Sequence, residues 1–172
     1  MKKKLLILGA GQFGTVIKEI AQSTEKYDQI DFLDDRYGTP DASALSTQRV
    51  IGILSDYGKY AGEYEEAIVS VGDPGVRMQW TGKLMTAGYA IPVIVSPFAC
   101  VSPSAALLDG SLVAPMAVVN PGVKVGVSSF IMAGAVIDHN TEIGDYCNIH
   151  CGVVVTSNSR IPDFTVIRSM KI

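Results

Sequence analysis

A chain of 172 residues that is 48% hydrophobic and 18% charged has room for one or two folded domains, and that composition excludes disorder. A net charge of −3 leaves no basic footprint for nucleic acid or an anionic membrane, although small nucleotides stay open as ligands. Three cysteines without framework spacing point to a reducing compartment, no stretch reaches the ~18 apolar residues of a membrane span, and the expected location is cytoplasmic.

Residues 4–9, KLLILG, read as a buried parallel strand closed by glycine. The sequence Gly9-Ala10-Gly11-Gln12-Phe13-Gly14 follows at once and leads into a helix with Phe13, Val16, Ile17, Ile20 and Ala21 at helical spacing. A second strand, residues 29–33, ends in Asp34-Asp35. Strand, GxGxxG, helix, strand and acid, with Asp34 twenty residues after Gly14, is a dinucleotide-binding pattern. Its glycines allow a tight turn and bring backbone N–H groups to a phosphate at the helix start. The acid at the second strand's end can accept from ribose hydroxyls.

Residues 50–53 predict a weaker strand, 55–62 a short helix, and 67–71 a strong strand running into Gly72-Asp73-Pro74-Gly75. That turn is placed where open α/β sheets bind ligands. Val76, Trp80, Leu84 and Met85 give a helix over 76–88, and residues 91–95 a last strand. Tyr57, Tyr60 and Tyr64 with Glu63, Glu65 and Glu66 are expected on a solvated edge. The Ser-Pro steps at 96–97 and 102–103 mark a boundary. The expectation is therefore a small doubly wound α/β domain over residues 1–95, half of a full dinucleotide fold, and a second domain over 96–172.

The second domain carries a ladder of period six. Val101, Leu107, Val113, Val119, Val125, Ile131, Ile137, Ile143, Ile149, Val155, Ile161 and Ile167 are all branched aliphatics. Two positions before each rung sits a mostly small residue, such as Ala99, Ala105, Ser111, Ala117, Ser129 and Ala135, expected to let each corner turn tightly. This is the hexapeptide-repeat signature of a parallel β-helix. Three hexads close one triangular coil, and the repeat supplies about four coils. Outward apolar residues, among them Met116, Val118, Phe130, Met132 and Val136, predict a homotrimer packed along the β-helix faces. His139 and His150 leave the rungs near corners and face outward. Cys147, His150 and Cys151 do not supply four convergent ligands, so no metal is expected.

A half-Rossmann opening with GAGQFG and FLDD, followed by a hexapeptide β-helix carrying VIDHN and EIGD, resembles the NeuD/PglD-like family of bacterial sugar acyltransferases. The resemblance covers residues 4–167. It implies a left-handed β-helix, acetyl-CoA as donor, and a nucleotide-linked sugar held by the N-terminal domain. It carries the sugar-nucleotide site onto Gly11, Gln12, Phe13, Asp34, Asp35, Gly72 and Arg77. The general base falls on His139, with Asn140 where the family has Asp or Glu. The donor site falls near Asn148, where the family has a second histidine, and His150. The resemblance also implies a chain several coils longer.

Three readings follow. The first is an acetyl-CoA-dependent acetyltransferase acting on an amino or hydroxyl group of a nucleotide-linked sugar. The second is a sugar-nucleotide-binding trimer that is catalytically weak or inactive. The third is an NAD-binding module, disfavoured by the short domain, so a uridine or cytidine nucleotide is expected to bind more tightly than NAD.

Overall fold

The computed structural model describes residues 2–41 and 48–169. The chain forms two compact units, Met1–Pro92 and Val93–Ile172.

The first unit is built on β1 (Lys3–Leu8), α1 (Gln12–Ser23), β2 (Tyr27–Leu33), β3 (Val50–Gly52), a 3-10 helix (Leu54–Tyr60), β4 (Glu66–Val69) and α2 (Pro74–Thr86). The four strands are parallel in the order β3-β2-β1-β4. The chain thus reverses its direction of winding between β1 and β4, the position at which open parallel sheets present a crevice. Leu5 to Leu8 are fully buried because β1 is central and both of its faces are covered.

Several expectations change at the periphery. On α1 the buried face is Gly14, Ile17, Ile20 and Ala21, while Val16 is exposed. On α2 it is Arg77, Thr81 and Leu84, at i, i+4 and i+7, and the expected Val76 and Met85 point to solvent. Tyr64 and Glu66 are not on a solvated edge: both are buried. Glu66 accepts from Tyr27 Oη at 2.6 Å and from Lys26 Nζ at 3.0 Å and pairs with Lys3, which offsets the burial of its charge. Tyr64 donates its hydroxyl to the buried Asp31.

The second unit is a left-handed β-helix. Among the described residues, thirteen two-residue strands recur every six positions from β5 (Ile94–Val95) to β17 (Val166–Ile167). They form three parallel sheets in which each residue pairs with the one eighteen positions on, as Lys124 with Glu142 and Val136 with Val154. The strand expected over 91–95 as the end of the first sheet is therefore corrected. Ile94–Val95 pairs with β8 (Leu112–Val113) and opens the β-helix, one hexad before Val101. Ala90, still in the first unit, bridges to Glu66 at the edge of the α/β sheet.

The rungs form the core, Val113, Val125, Ile131, Ile137 and Ile149 being 1% exposed or less. Each such burial stabilises the fold by roughly 1.5–3 kcal/mol. The small residues before the rungs do not make the corners. Ala117, Ser129, Ala135, Thr141 and Cys147 are fully buried and line the core beside the rungs. The corner is made three residues after each rung, where the backbone enters the left-handed region. From Gly110 to Phe164 every sixth residue has a positive φ: Gly110, Met116, Gly122, Ser128, Gly134, Asn140, Tyr146, Gly152, Asn158 and Phe164. Glycine and asparagine tolerate that conformation; Met116, Tyr146 and Phe164 hold it against steric cost.

The walls differ in character. One presents Ala106, Lys124, Glu142 and Arg160, with Glu142 paired to Lys124 at 3.4 Å and to Arg160 at 3.5 Å. Another presents Cys100, Val118, Val136 and Val154, of which Val154 is 65% exposed. Phe130 and Met132, expected among the exposed apolar residues, are buried, whereas Met116 is 73% exposed.

Candidate functional site

In the α/β unit the glycine sequence forms a turn between β1 and α1. Gly9 has φ +104°, open to glycine at little cost, and an added Cβ there would meet Ser70 Oγ. Gly14 presses against the backbone of Gly9, so the third glycine sets the packing of helix on strand. Gly11 is different. It caps α1 with φ −76°, and an added Cβ would meet nothing within 4 Å. Its emptiness is therefore space available to a ligand. Gln12, beside it, is exposed, and Phe13 is half-buried. Ser70, at the end of β4, donates its hydroxyl to Leu8 O at 3.0 Å and Gly9 O at 2.5 Å, tying the turn to the neighbouring strand.

Asp34 and Asp35 close the second strand, where their carboxylates already have partners in the chain. Asp34 Oδ2 accepts the Ala10 N–H at 2.8 Å. Arg36 grips the same carboxylate with Nε on Oδ1 and Nη2 on Oδ2, both at 2.8 Å, and Arg36 N–H adds a bond of 3.0 Å to Oδ1. That guanidinium holds the Asp34 carboxyl down, at about 2, against the opposing effect of burial. Asp35 is exposed and accepts the Leu54 N–H through Oδ1 at 3.0 Å. Of the two, Asp35 is the more open to a ligand.

Gly72 stands past the end of β4 with open space at its Cα. Asp73 caps α2 by accepting Val76 N–H at 2.9 Å, with Pro74 as the first helical residue. Arg77 is fully buried, and its Nη1 donates to Val71 O at 2.8 Å and Gly72 O at 3.3 Å. It braces the Gly72 turn from below rather than standing open beside it. The turn after β1, the acids after β2 and Gly72 after β4 thus gather at the carboxyl ends of three adjacent strands. Arg36 and Ser70, which the motif reading passed over, hold that arrangement.

In the β-helix, His139 and Asn140 are exposed in the corner after β12 (Val136–Ile137). Asn140 takes the left-handed position, with φ 56°, and its N–H donates to Pro121 O at 3.0 Å. Its amide Nδ2 lies 3.3 Å from His139 Nδ1. Asp138 points elsewhere: Oδ1 accepts Asn120 Nδ2 at 3.1 Å and the His139 N–H at 2.8 Å. The residue that reaches the imidazole is therefore Asn140. Asn148 lies on β14 (Asn148–Ile149), 5% exposed, and His150 opens the next corner, half-buried. His139 and His150 stand on different edges of the prism, and within one chain the fold does not bring them together.

Cys147 is buried, with Sγ donating to Pro162 O at 3.1 Å, and Cys151 is exposed. Among the described residues no three His, Cys, Asp or Glu side chains converge as a metal-holding group. A shallow cavity of about 400 Å³ runs along the charged wall, lined by Lys124, Glu142, Gly144, Asp145, Arg160 and Asp163.

Residues 4–84 match the family model of the PglD N-terminal domain. Among solved structures, the acetyltransferase domain of PglB from Neisseria gonorrhoeae FA1090, in complex with acetyl coenzyme A, is 28% identical. The match covers 96% of each chain, with a TM-score of 0.68. PerB from Caulobacter crescentus, in complex with CoA and GDP-perosamine, is 22% identical over 95% of this chain and 92% of its own, with a TM-score of 0.64. WeeI from Acinetobacter baumannii AYE is 16% identical over 95% and 91%, with a TM-score of 0.72. These last two speak for the fold. No curated protein matches the chain. Each of these matches covers nearly the whole of both chains.

Proposed function

Starting from a chain built as the NeuD/PglD-like sugar acetyltransferases are, we propose that it transfers an acetyl group from acetyl-CoA to an amino or hydroxyl group of a nucleotide-linked sugar. The observation that carries this reading is the match over 96% of both chains to a gonococcal acetyltransferase domain in complex with acetyl coenzyme A. The nucleotide is assigned to the turn at Gly11, Gln12 and Phe13, with Asp35 beside it and Gly72 on the neighbouring strand. The diphosphate takes the N–H groups at the start of α1, where the helix dipole favours negative charge. Arg77 and Asp34 shape the site without facing it.

His139 is assigned as the general base. The attacking amine or hydroxyl must lose a proton as it adds to the thioester carbonyl, and a neutral imidazole can take it. Collapse of the tetrahedral adduct expels the CoA thiolate, which recovers a proton. For Nε2 to be the accepting atom, Nδ1 must carry the hydrogen and donate it. An Asn140 amide turned with its oxygen towards Nδ1 permits this; turned with its nitrogen there, it places the hydrogen on Nε2 instead. The nitrogen-facing orientation, with Nδ2 3.3 Å from Nδ1, supports the second reading, a nucleotide-sugar-binding trimer with weak or no turnover. Lys124 and Arg160, on the charged wall, are chemically suited to the donor's phosphates. Met116, Val118, Val136 and Val154 support a homotrimer packed on the apolar wall. No helix among the described residues is long and apolar enough to cross a membrane.

The test measures thiol release from acetyl-CoA with UDP-, CMP- and GDP-linked amino and hydroxy sugars, beside calorimetry with each nucleotide, NAD and acetyl-CoA. Turnover with one sugar class supports transfer. Nucleotide binding without turnover or acetyl-CoA binding supports the second reading, and NAD binding alone overturns both.

A further inference from the structure

The glycine turn contains a contradiction in charge. An anion held at the start of α1 would sit over Gly11, yet the N–H of the adjacent Ala10 is spent on the Asp34 carboxylate at 2.8 Å. A carboxylate inside a phosphate-binding turn repels the ligand that the turn is shaped to take. It cannot simply be protonated away, because three further bonds from Arg36 favour its ionised form.

Arg36 resolves the contradiction. Its guanidinium lies on the carboxylate as a bidentate fork, Nε to Oδ1 and Nη2 to Oδ2 at 2.8 Å each. The pair is neutral in sum. Asp34 can then do its mechanical work, fixing Ala10 between Gly9 and Gly11, without presenting a net negative charge to the ligand. Arg36 is two residues beyond Asp34 on an exposed turn, and its side chain is 38% exposed. Its conformation is thus held by the pair itself rather than by packing.

We propose that Arg36 is a positioning and charge-balancing residue for a diphosphate bound at the Gly11 turn, and that Asp34 holds the turn instead of reading the ribose. The inference rests on the nucleotide assignment above. It makes two demands that a mere brace would not meet. Removing the guanidinium alone should harm diphosphate binding more than removing both partners of the pair. The harm should also shrink as salt screens the exposed charge.

The experiment is calorimetry on the full chain with inorganic pyrophosphate and with UDP, CDP and GDP, at 20 mM and 300 mM salt as trial conditions, about 20 and 6 Å of screening. Arg36→Gln should weaken pyrophosphate and the bound nucleotide by about tenfold at low salt, and less at high salt. The double variant Asp34→Asn/Arg36→Gln should recover binding to within about threefold of the parent, because an asparagine oxygen still accepts the Ala10 N–H and the charge is gone. Unchanged binding by Arg36→Gln, or a double variant as weak as the single, overturns the proposal while leaving the nucleotide site standing. Pyrophosphate showing this pattern, with no nucleotide bound, supports the charge balance and removes the nucleotide reading. Failure of the folded parent to bind any of the four probes overturns both.

Discussion

Replacing Gly14 by alanine should destabilise the protein even though alanine is the better helix former. The added methyl would fall deep inside contact distance of Gly9 O, with Gly9 C at 3.2 Å and Phe32 Cε1 at 3.1 Å. The obstacle is backbone, so no side-chain rotation relieves it, and the start of α1 must move off the strand. Overpacking of this kind costs about 1–3 kcal/mol, here about 2–3 because the obstacle is backbone, offset by up to ~1 kcal/mol of helix propensity. A net loss of about 1–2 kcal/mol follows, to be read from the shift of the urea midpoint at constant slope. Gly11→Ala is the paired control. Its methyl meets nothing within 4 Å, and its φ of −76° suits alanine, so stability should stay within ~0.5 kcal/mol of the parent. Nucleotide affinity should nevertheless fall, because the methyl occupies the space that a phosphate needs. A Gly14→Ala protein as stable as the parent, or more stable, would refute the close-packing argument. A Gly11→Ala protein that binds nucleotide normally would refute the assignment of the empty space.

His139→Ala should lower kcat by ~10²–10⁴ with nucleotide affinity unchanged; equal acetylation with and without the imidazole would remove His139 from the mechanism. Asn140→Asp should raise turnover, since a carboxylate beside Nδ1 can only accept its hydrogen and so leaves Nε2 free to take the acceptor's proton. Because Asp34 titrates lower folded than unfolded, its pairing stabilises the protein above pH ~4, and that stability is lost as pH falls towards about 2. The loss is about 2 kcal/mol and should be missing from the acid unfolding curve of Asp34→Asn. Sedimentation at micromolar concentration should give a trimer, and Val154→Asp on the apolar wall should shift it towards monomer.

The β-helix was legible because its period is written in the chemistry of a single position: each rung must be apolar to stack on the rung eighteen residues away. The corner was not legible, because its requirement is a backbone angle that Met116, Tyr146 and Phe164 satisfy against their preference. The ladder itself could have placed Val95 in the β-helix, six residues before Val101, but an apolar run beside an α/β sheet looks the same in either unit. Position and composition placed the glycine turn and the acids at the ends of adjacent strands, where the structure has them. They could not tell which acid is spent on holding the glycine turn, since Asp34 and Asp35 are identical in type and adjacent. The difference lies in Arg36, whose bidentate grip depends on side-chain geometry. Arg77 shows the same limit: a cation beside a ligand turn is expected to reach the ligand, and here it props the backbone carbonyls of Val71 and Gly72.

The pairing of every wall residue with the one eighteen positions later makes the second unit a mechanical screw with a fixed pitch. Each full coil advances the axis by about 4.8 Å, one inter-strand spacing. An insertion of eighteen residues would therefore lift everything beyond it by one step and leave each wall facing as before. An insertion of six would also keep every rung inside, so the core would accept it. It would, however, turn all later residues by a third of a revolution, carrying Arg160 away from Glu142 and Val154 off the apolar wall. Length changes in such a chain are thus sorted into two kinds, translations that preserve the outer surface and rotations that scramble it, while the interior registers no difference between them.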